Sequence, residues 1–280
     1  MRVARAATLV LFVVLAVVLV AAAPRLWDRI QLDTGWGLPE RVGPPLLIIG
    51  HHGDVDQFPE NSAESIWAAA ALQPDGIEID INQSASGTWY AFHDPTLDRT
   101  TDGEGRIAAL RDEVIDSAII DAGPGFRPNS GSVFHVSTLQ DVLAGLTDFR
   151  GTIYIDLQHA ESGDAAALVD ELVGVNVAVI CRSAADATAI KARDPAVETI
   201  LSITLAPGPD VDGLIAEASL HGTPGLIAGL SLPVTAYVER ADTDEYALMR
   251  RAWATGVKAF ISNHLEAALA TRDALSNSER

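Results

Sequence analysis

Cysteine is nearly absent from this chain. The single one, Cys181 in 280 residues, excludes an intrachain disulfide framework and leaves no cysteine-pair spacing that could hold a metal. The lone thiol reads as a core residue. Basic residues are scarce as well: 19 Lys and Arg stand against 38 Asp and Glu, a formal net charge of -19. A surface of that sign repels nucleic-acid phosphates and anionic membrane faces, so no nucleic-acid partner is expected. No GxGxxG or P-loop pattern opens a helix, which withdraws support from the nucleotide-binding α/β classes. What remains, 48% hydrophobic and 20% charged residues, suffices for one large domain with a full core. Oligomeric state is not legible.

The N-terminus stands apart. Arg2 and Arg5 precede an uncharged run from Ala6 to Ala23, 18 residues long, which reaches the lower limit for crossing a hydrocarbon core about 30 Å thick. Ala21-Ala22-Ala23 offers a small-residue cleavage site, but Pro24 follows at once and the run exceeds a usual signal core. Residues 1–23 are therefore read as a transmembrane anchor or signal segment, with an uncleaved anchor favoured, and 24–45 as a Pro- and Gly-bearing tether. The leading arginines favour a cytoplasmic N-terminus, against Arg25 and Arg29 beyond the span. That places the folded domain, residues 46–280, outside the cytoplasm at the cell membrane, or exported if the segment is cleaved.

From residue 46 short β-type runs alternate with amphipathic helical patterns. Strands are expected at 46–50, 76–81, 89–93, 152–157, 177–181, 199–205, 234–238 and 258–262, with a weaker one at 225–230; helices at 62–72, 164–173, 184–193 and 244–254 fall between them. The pattern specifies an α/β fold, a TIM-type (β/α)8 barrel. Between GIEIDINQ and TWYAFHD the gap is too short for a helical crossover, so a hairpin-like reversal joins the second and third strands. If Gln83 faces Thr88 there, Asp80 faces Ala91 and Glu78 faces His93, which gathers both acids and the histidine on one face.

Glu78 and Asp80 alternate with Ile77, Ile79 and Ile81, so both acids share one side of their strand. Such a pair repels unless a cation lies between, which suits a hard divalent metal with oxygen ligands; the plain alternative is the wet face of an edge strand. His51 and His93 end the first and third strands, where barrel active-site residues emerge, and could serve as a general base and acid.

These segments resemble one family. HHG at 51–53, PEN at 59–61, GIEIDI at 76–81, FHDPTLDRTTDGEG at 92–105, TLQDVL at 138–143 and GVKAFISNHLEAAL at 256–269 are similar to the glycerophosphodiester phosphodiesterases, over about residues 46–270. The resemblance implies a barrel that hydrolyses glycerophosphodiesters to glycerol 3-phosphate and an alcohol with Ca2+ or Mg2+. His51 and His93 would be the acid and base pair, Glu78 and Asp80 the metal ligands, and Glu60 a support for the first loop. The family's insertion after the third strand would occupy about residues 94–137 and could form a lip over the site. Where the family has His-Arg-Gly this chain has His52, and where it has Glu-x-Lys on the fourth strand this chain has Asp156 and Gln158. Asp156 can still bind a cation. The positions of His52 and Gln158 lose positive charge toward a phosphate, His52 being a weaker and pH-sensitive substitute. Arg182 is the candidate compensation, or else a surface charge beside the helix at 184–193.

Asp54 and Asp56 read as solvated acids; Asp98, Arg99, Asp102 and Gly103 as turn and capping residues; Trp89 and Tyr90 as packing. No spacing ties His135, His159, His221 or His264 to the centre. Two further readings stay open: an intramolecular transfer that gives a cyclic phosphate from a lipid-derived diester, and a barrel that binds a ligand or partner without turnover.

Overall fold

The computed structural model describes residues 45–157, 165–202, 209–217, 232–237 and 245–278. The apolar run at 6–23, most of the tether, Gln158, His159, His221 and the strand expected at 225–230 lie outside the described residues. In chain order the elements are β1 (Leu47–Gly50), α1 (Ala63–Ala71), β2 (Gly76–Gln83), β3 (Trp89–Ala91), α2 (Asp112–Ser117), β4 (Ile119–Ile120), β5 (Phe134–His135), β6 (Ser137–Thr138), α3 (Leu139–Ala144), β7 (Thr152–Asp156), α4 (Ala165–Glu171), β8 (Val177–Cys181), α5 (Ala184–Arg193), β9 (Glu198–Ser202), β10 (Gly213–Glu217), β11 (Val234–Tyr237), α6 (Glu245–Thr255), β12 (Ala259–Ser262) and α7 (Leu265–Ser278). No helix among the described residues is long and apolar enough to cross a membrane.

Eight of the strands form a closed parallel barrel: β2, β7, β8, β9, β10, β11, β12 and β1 pair in turn, and β1 returns to β2 through Ile49 beside Gly76. Strand alternation splits the core into two layers. Ile48, Ile77, Ile79, Ile155 and Val179 join the helices in the outer layer, while Ile49, Tyr154, Ile180, Ile200 and Ile261 fill the barrel interior. Cys181 is buried in the outer layer, and burial first pushes its thiol up to about 12. Serine and threonine caps start the helices where the sequence offers them: Ser62, Thr138 and Ser183 accept from backbone amides three residues on.

Two expectations are corrected. The run at 89–93 is not a barrel strand: β3 pairs antiparallel with β2 and β6, outside the ring, and β10 takes the eighth place. The hairpin register also differs by one residue, with Ile81 opposite Ala91 and Gln83 opposite Trp89. The cause is the turn. Ser84 pairs with Thr88, its hydroxyl accepts from the amides of Ser86 and Thr88 at 3.1 and 3.2 Å, and Gly87 takes the left-handed φ of 91° that closes the loop. Asp80 therefore meets Phe92, whose amide donates to the Asp80 carbonyl at 2.9 Å. His93 is not opposite Glu78; it reaches the barrel mouth because the chain bends after β3.

The segment after β3 builds a small lobe with its own core of Tyr90, Phe92, Leu97, Ile107, Ile115 and Phe134. It docks on the loop after β1: the Glu60 amide donates to the Pro124 carbonyl at 3.0 Å, and Arg127 donates to the Asp56 carbonyl at 2.7 Å.

Candidate active site

The β2–β7 register sets Asp80 beside Asp156 and Glu78 beside Tyr154, all on the interior face. Glu78 and Asp80 are 2% and 1% exposed, so they do not lie on the wet face of an edge strand. One oxygen from each of Glu78, Asp80 and Asp156 lies within 4.8 Å of the others. Burial, then the charges of Asp80 and Asp156, pushes Glu78 well above the usual carboxylate range. Asp156 is pushed up to about 8 by burial and then Asp80, with Arg182 pulling the other way. Burial acts on Asp80 in the same sense but is outweighed by His52, His93 and His51, which hold that carboxyl below its ordinary value. A buried cluster in which acids penalise one another has the donor chemistry of a divalent-cation site, so these residues fit such a group.

His51 follows β1, its amide donating to the Ser262 carbonyl at 2.9 Å. Its Nδ1 lies 2.8 Å from Asn263 Oδ1, while Asn263 Nδ2 donates to Glu245 Oε1 at 2.8 Å. Because the amide nitrogen of Asn263 is spent on a carboxylate, its oxygen faces His51, and His51 donates through Nδ1–H. The other ring nitrogen, Nε2, keeps a lone pair and points at Glu78, 4.0 Å from Oε2. Burial, then neighbouring His52, pushes the His51 pKa down to about 3, so the ring is neutral.

His93 has the opposite character. Burial works against its charge, but Asp80, a 2.6 Å contact from Nδ1 to Asp94 Oδ1, and Glu60 together raise its pKa above the ordinary histidine value. Asp94 is in turn clamped by Arg99, which also pairs with Glu60. Arg99, read above as a turn residue, thus ties PEN to HDP at the mouth, and Glu60 acts there through this ion pair.

His52 is buried against the carboxylates, with Nδ1 2.5 Å from Asp80 Oδ2 and 3.4 Å from Glu78 Oε2. Its backbone is left-handed, at φ 55°, and its amide donates to Glu78 Oε2 at 3.1 Å. Asn61, also left-handed at φ 56°, donates from Nδ2 to Asp80 Oδ2 at 2.8 Å and accepts from the Asp80 amide at 3.1 Å. Arg182, exposed just past β8, acts on the centre through its charge, which favours the ionised form of Asp156. Asp54 is buried, not solvated, and burial raises its pKa. Asp56 pairs with His264 at 2.9 Å on the rim. Sequence reasoning passed over Asn61, Asp94, Glu245 and Asn263; the first two and Asn263 sit inside the matched segments PEN, HDP and SNH, the only signal they offered.

A closed parallel barrel with buried carboxylates and two histidines at its C-terminal mouth defines the class: a βα-barrel of the kind that carries hydrolytic sites on its strand ends. A model of the glycerophosphoryl diester phosphodiesterase family matches residues 51–194, and the chain belongs to that family. It is 37% identical over 111 residues to a glycerophosphodiester phosphodiesterase of Caldanaerobacter subterraneus, covering 39% of this chain and 44% of that protein. It is 34% identical over 122 residues to human glycerophosphodiester phosphodiesterase 1, covering 43% of this chain and 37% of that protein. The matched stretch thus spans less than half the length of these curated relatives. Among solved structures, an Agrobacterium tumefaciens glycerophosphodiester phosphodiesterase shares the fold at a TM-score of 0.64 and 24% identity, covering 80% of this chain and 99% of that one. An Oleispira antarctica phosphodiesterase in complex with the product sn-glycerol-3-phosphate shares it at 0.69 and 21%, covering 82% and 97%.

Proposed function

We propose that this chain is a metal-dependent phosphodiesterase that hydrolyses glycerophosphodiesters to glycerol 3-phosphate and an alcohol. The observation that carries the reading is the placement of two differently partnered histidines over one buried carboxylate cluster: His51 with Nδ1 on Asn263 and Nε2 turned inward, His93 with Nδ1 on the Asp94 carboxylate, whose charge favours its protonated form. Membership of the family supports it, as does the product bound to the Oleispira neighbour. In the reaction, water gives its proton to His51 Nε2 as its oxygen bonds to phosphorus. The departing alkoxide takes the His93 proton as its bond to phosphorus breaks. His93, with its side chain 39% exposed, stands where a leaving alcohol can reach solvent.

Glu78, Asp80 and Asp156 would hold the divalent cation through carboxylate oxygens, and these three donors taken by themselves would suit Ca2+ or Mg2+. When bound, the ion neutralises and polarises the phosphodiester. Arg182, His52 and Glu60 would support that position, Arg182 by its charge on Asp156, His52 by its contact with Asp80 and Glu60 through Arg99, while Gln158, the remaining phosphate-facing candidate, lies outside the described residues. We also infer that residues 1–23 anchor the chain by a single pass with the barrel outside the cytoplasm.

The test is the product. The full chain, given glycerophosphocholine or a lysophospholipid, should yield glycerol 3-phosphate in phosphorus NMR from the former. A five-membered cyclic phosphate as the accumulating product would instead identify intramolecular transfer.

A further inference from the structure

Two donor groups meet at Glu78. One is the carboxylate trio; the other is His51, His52 and Glu78, whose ligand atoms also lie within 4.8 Å of one another. The two rings stack at a centroid separation of 3.6 Å, with His51 Nε2 and His52 Nδ1 both turned to Glu78 Oε2, at 4.0 and 3.4 Å.

His52 is not loosely placed. Its left-handed backbone, unusual for a residue with a side chain, is held by its own amide on Glu78 and by Ser65 Oγ, which donates to the His52 carbonyl at 3.0 Å. The next residue, Gly53, has φ 94°, and a Cβ there would meet Ser65 Oγ at 2.4 Å, so only glycine fits where the loop passes Ser65. Asn61 fixes the far side through Asp80.

We propose that His52 lends an imidazole nitrogen to the cation site formed with Glu78 and Asp80, so that the protein takes a borderline transition-metal dication, Zn2+ or Co2+, in preference to Ca2+. The inference rests on the reading above only in requiring a cation at these residues. Imidazole suits zinc, cobalt and related ions, whereas Ca2+ collects six to eight oxygens at longer distances. Around a tetrahedral ion with bonds of about 2.0–2.2 Å, neighbouring donors lie about 3.4 Å apart. The separation of Nδ1 from Glu78 Oε2 already has that value, 3.4 Å, and that from Asp80 Oδ2, 2.5 Å, opens by a turn of the Asp80 carboxylate.

The experiment uses the full chain stripped of metal, titrated with Co2+, Zn2+ and Ca2+ by calorimetry, and X-ray absorption of the zinc-loaded protein at one equivalent. Expected are the visible bands of low-coordinate Co2+, imidazole scattering around zinc, and Zn2+ binding tighter than Ca2+. His52→Asn, a residue that tolerates the left-handed backbone, should weaken Co2+ and Zn2+ about tenfold or more and leave Ca2+ affinity unchanged or higher. Oxygen-only scattering at zinc in the wild type, which needs no variant to fold, would overturn the proposal, as would equal loss of all three ions in a folded His52→Asn protein. Nitrogen-ligated zinc without release of glycerol 3-phosphate leaves this proposal standing and sinks the phosphodiesterase reading. Calcium-driven release unaffected by His52→Asn, with zinc bound no tighter, does the reverse.

Discussion

At the scale of single residues, two neutral amides organise the charged groups. Asn263 passes the Glu245 carboxylate's hydrogen bonding on to His51 and so decides which ring nitrogen is free. Asn263→Ala should lower kcat about tenfold with KM little changed, since one hydrogen bond of about 1.4 kcal/mol corresponds to a decade in rate. Histidine nitrogen NMR should then show the His51 tautomers mixed, a signature that a purely structural role would not produce. Asn61→Ala removes a partner from buried Asp80 and should destabilise the fold by about 1–3 kcal/mol in denaturant titration. The acids and His51 were legible because strand alternation and position after a strand are written in the sequence. Neither amide was, because an asparagine in a loop has many local uses and its partners lie far away: Asn263 is 212 residues from His51. The contact of the His52 ring with Asp80 was not legible either, because it depends on the left-handed turn at His52.

At the scale of elements, close backbone approach rather than composition sets the loops around the site. Gly125 has φ 75°, and a Cβ there would sit 1.8 Å from the Phe58 carbonyl oxygen, whereas at Gly87, φ 91°, it would meet nothing within 4 Å. Gly125→Ala should therefore undock the lobe from the loop at 54–60 and lower the melting temperature well beyond Gly87→Ala, whose cost is limited to about 1 kcal/mol of backbone strain. Scanning calorimetry of the two variants decides it. Seven barrel strands were legible as apolar runs. The eighth, GLIAE at 213–217, was missed, its place being given to the run at 89–93, which has the same apolar and aromatic signal but pairs in a hairpin outside the ring. The hairpin at 84–88 slipped by a residue because its loop length depends on one serine hydroxyl.

At the scale of the whole molecule, the buried acids link stability to pH. Asp156, raised to about 8, and Glu78 and His93, raised as well, all favour the fold while protonated. That stability is lost as pH rises through their folded values. His51, lowered to about 3, works the other way but only below its unfolded value of 6.5. Between pH 6.5 and 8.5 the metal-free protein should therefore lose thermal stability, by at least about 3 °C, roughly what 1 kcal/mol produces in a chain of this size. A saturating divalent cation should remove most of the slope, because it holds the carboxylates ionised. A flat or rising profile without metal would mean the cluster is not strained by its own charge.

The most direct measurement is glycerol 3-phosphate release from glycerophosphocholine by the metal-stripped full chain, before and after a divalent cation is restored, for the wild type and for His51→Gln. No release is expected without the ion, and release is expected with it. In His51→Gln a loss of about a hundredfold or more is expected, with ion binding intact. Release from the stripped protein, or turnover undiminished in His51→Gln, would contradict the proposed function.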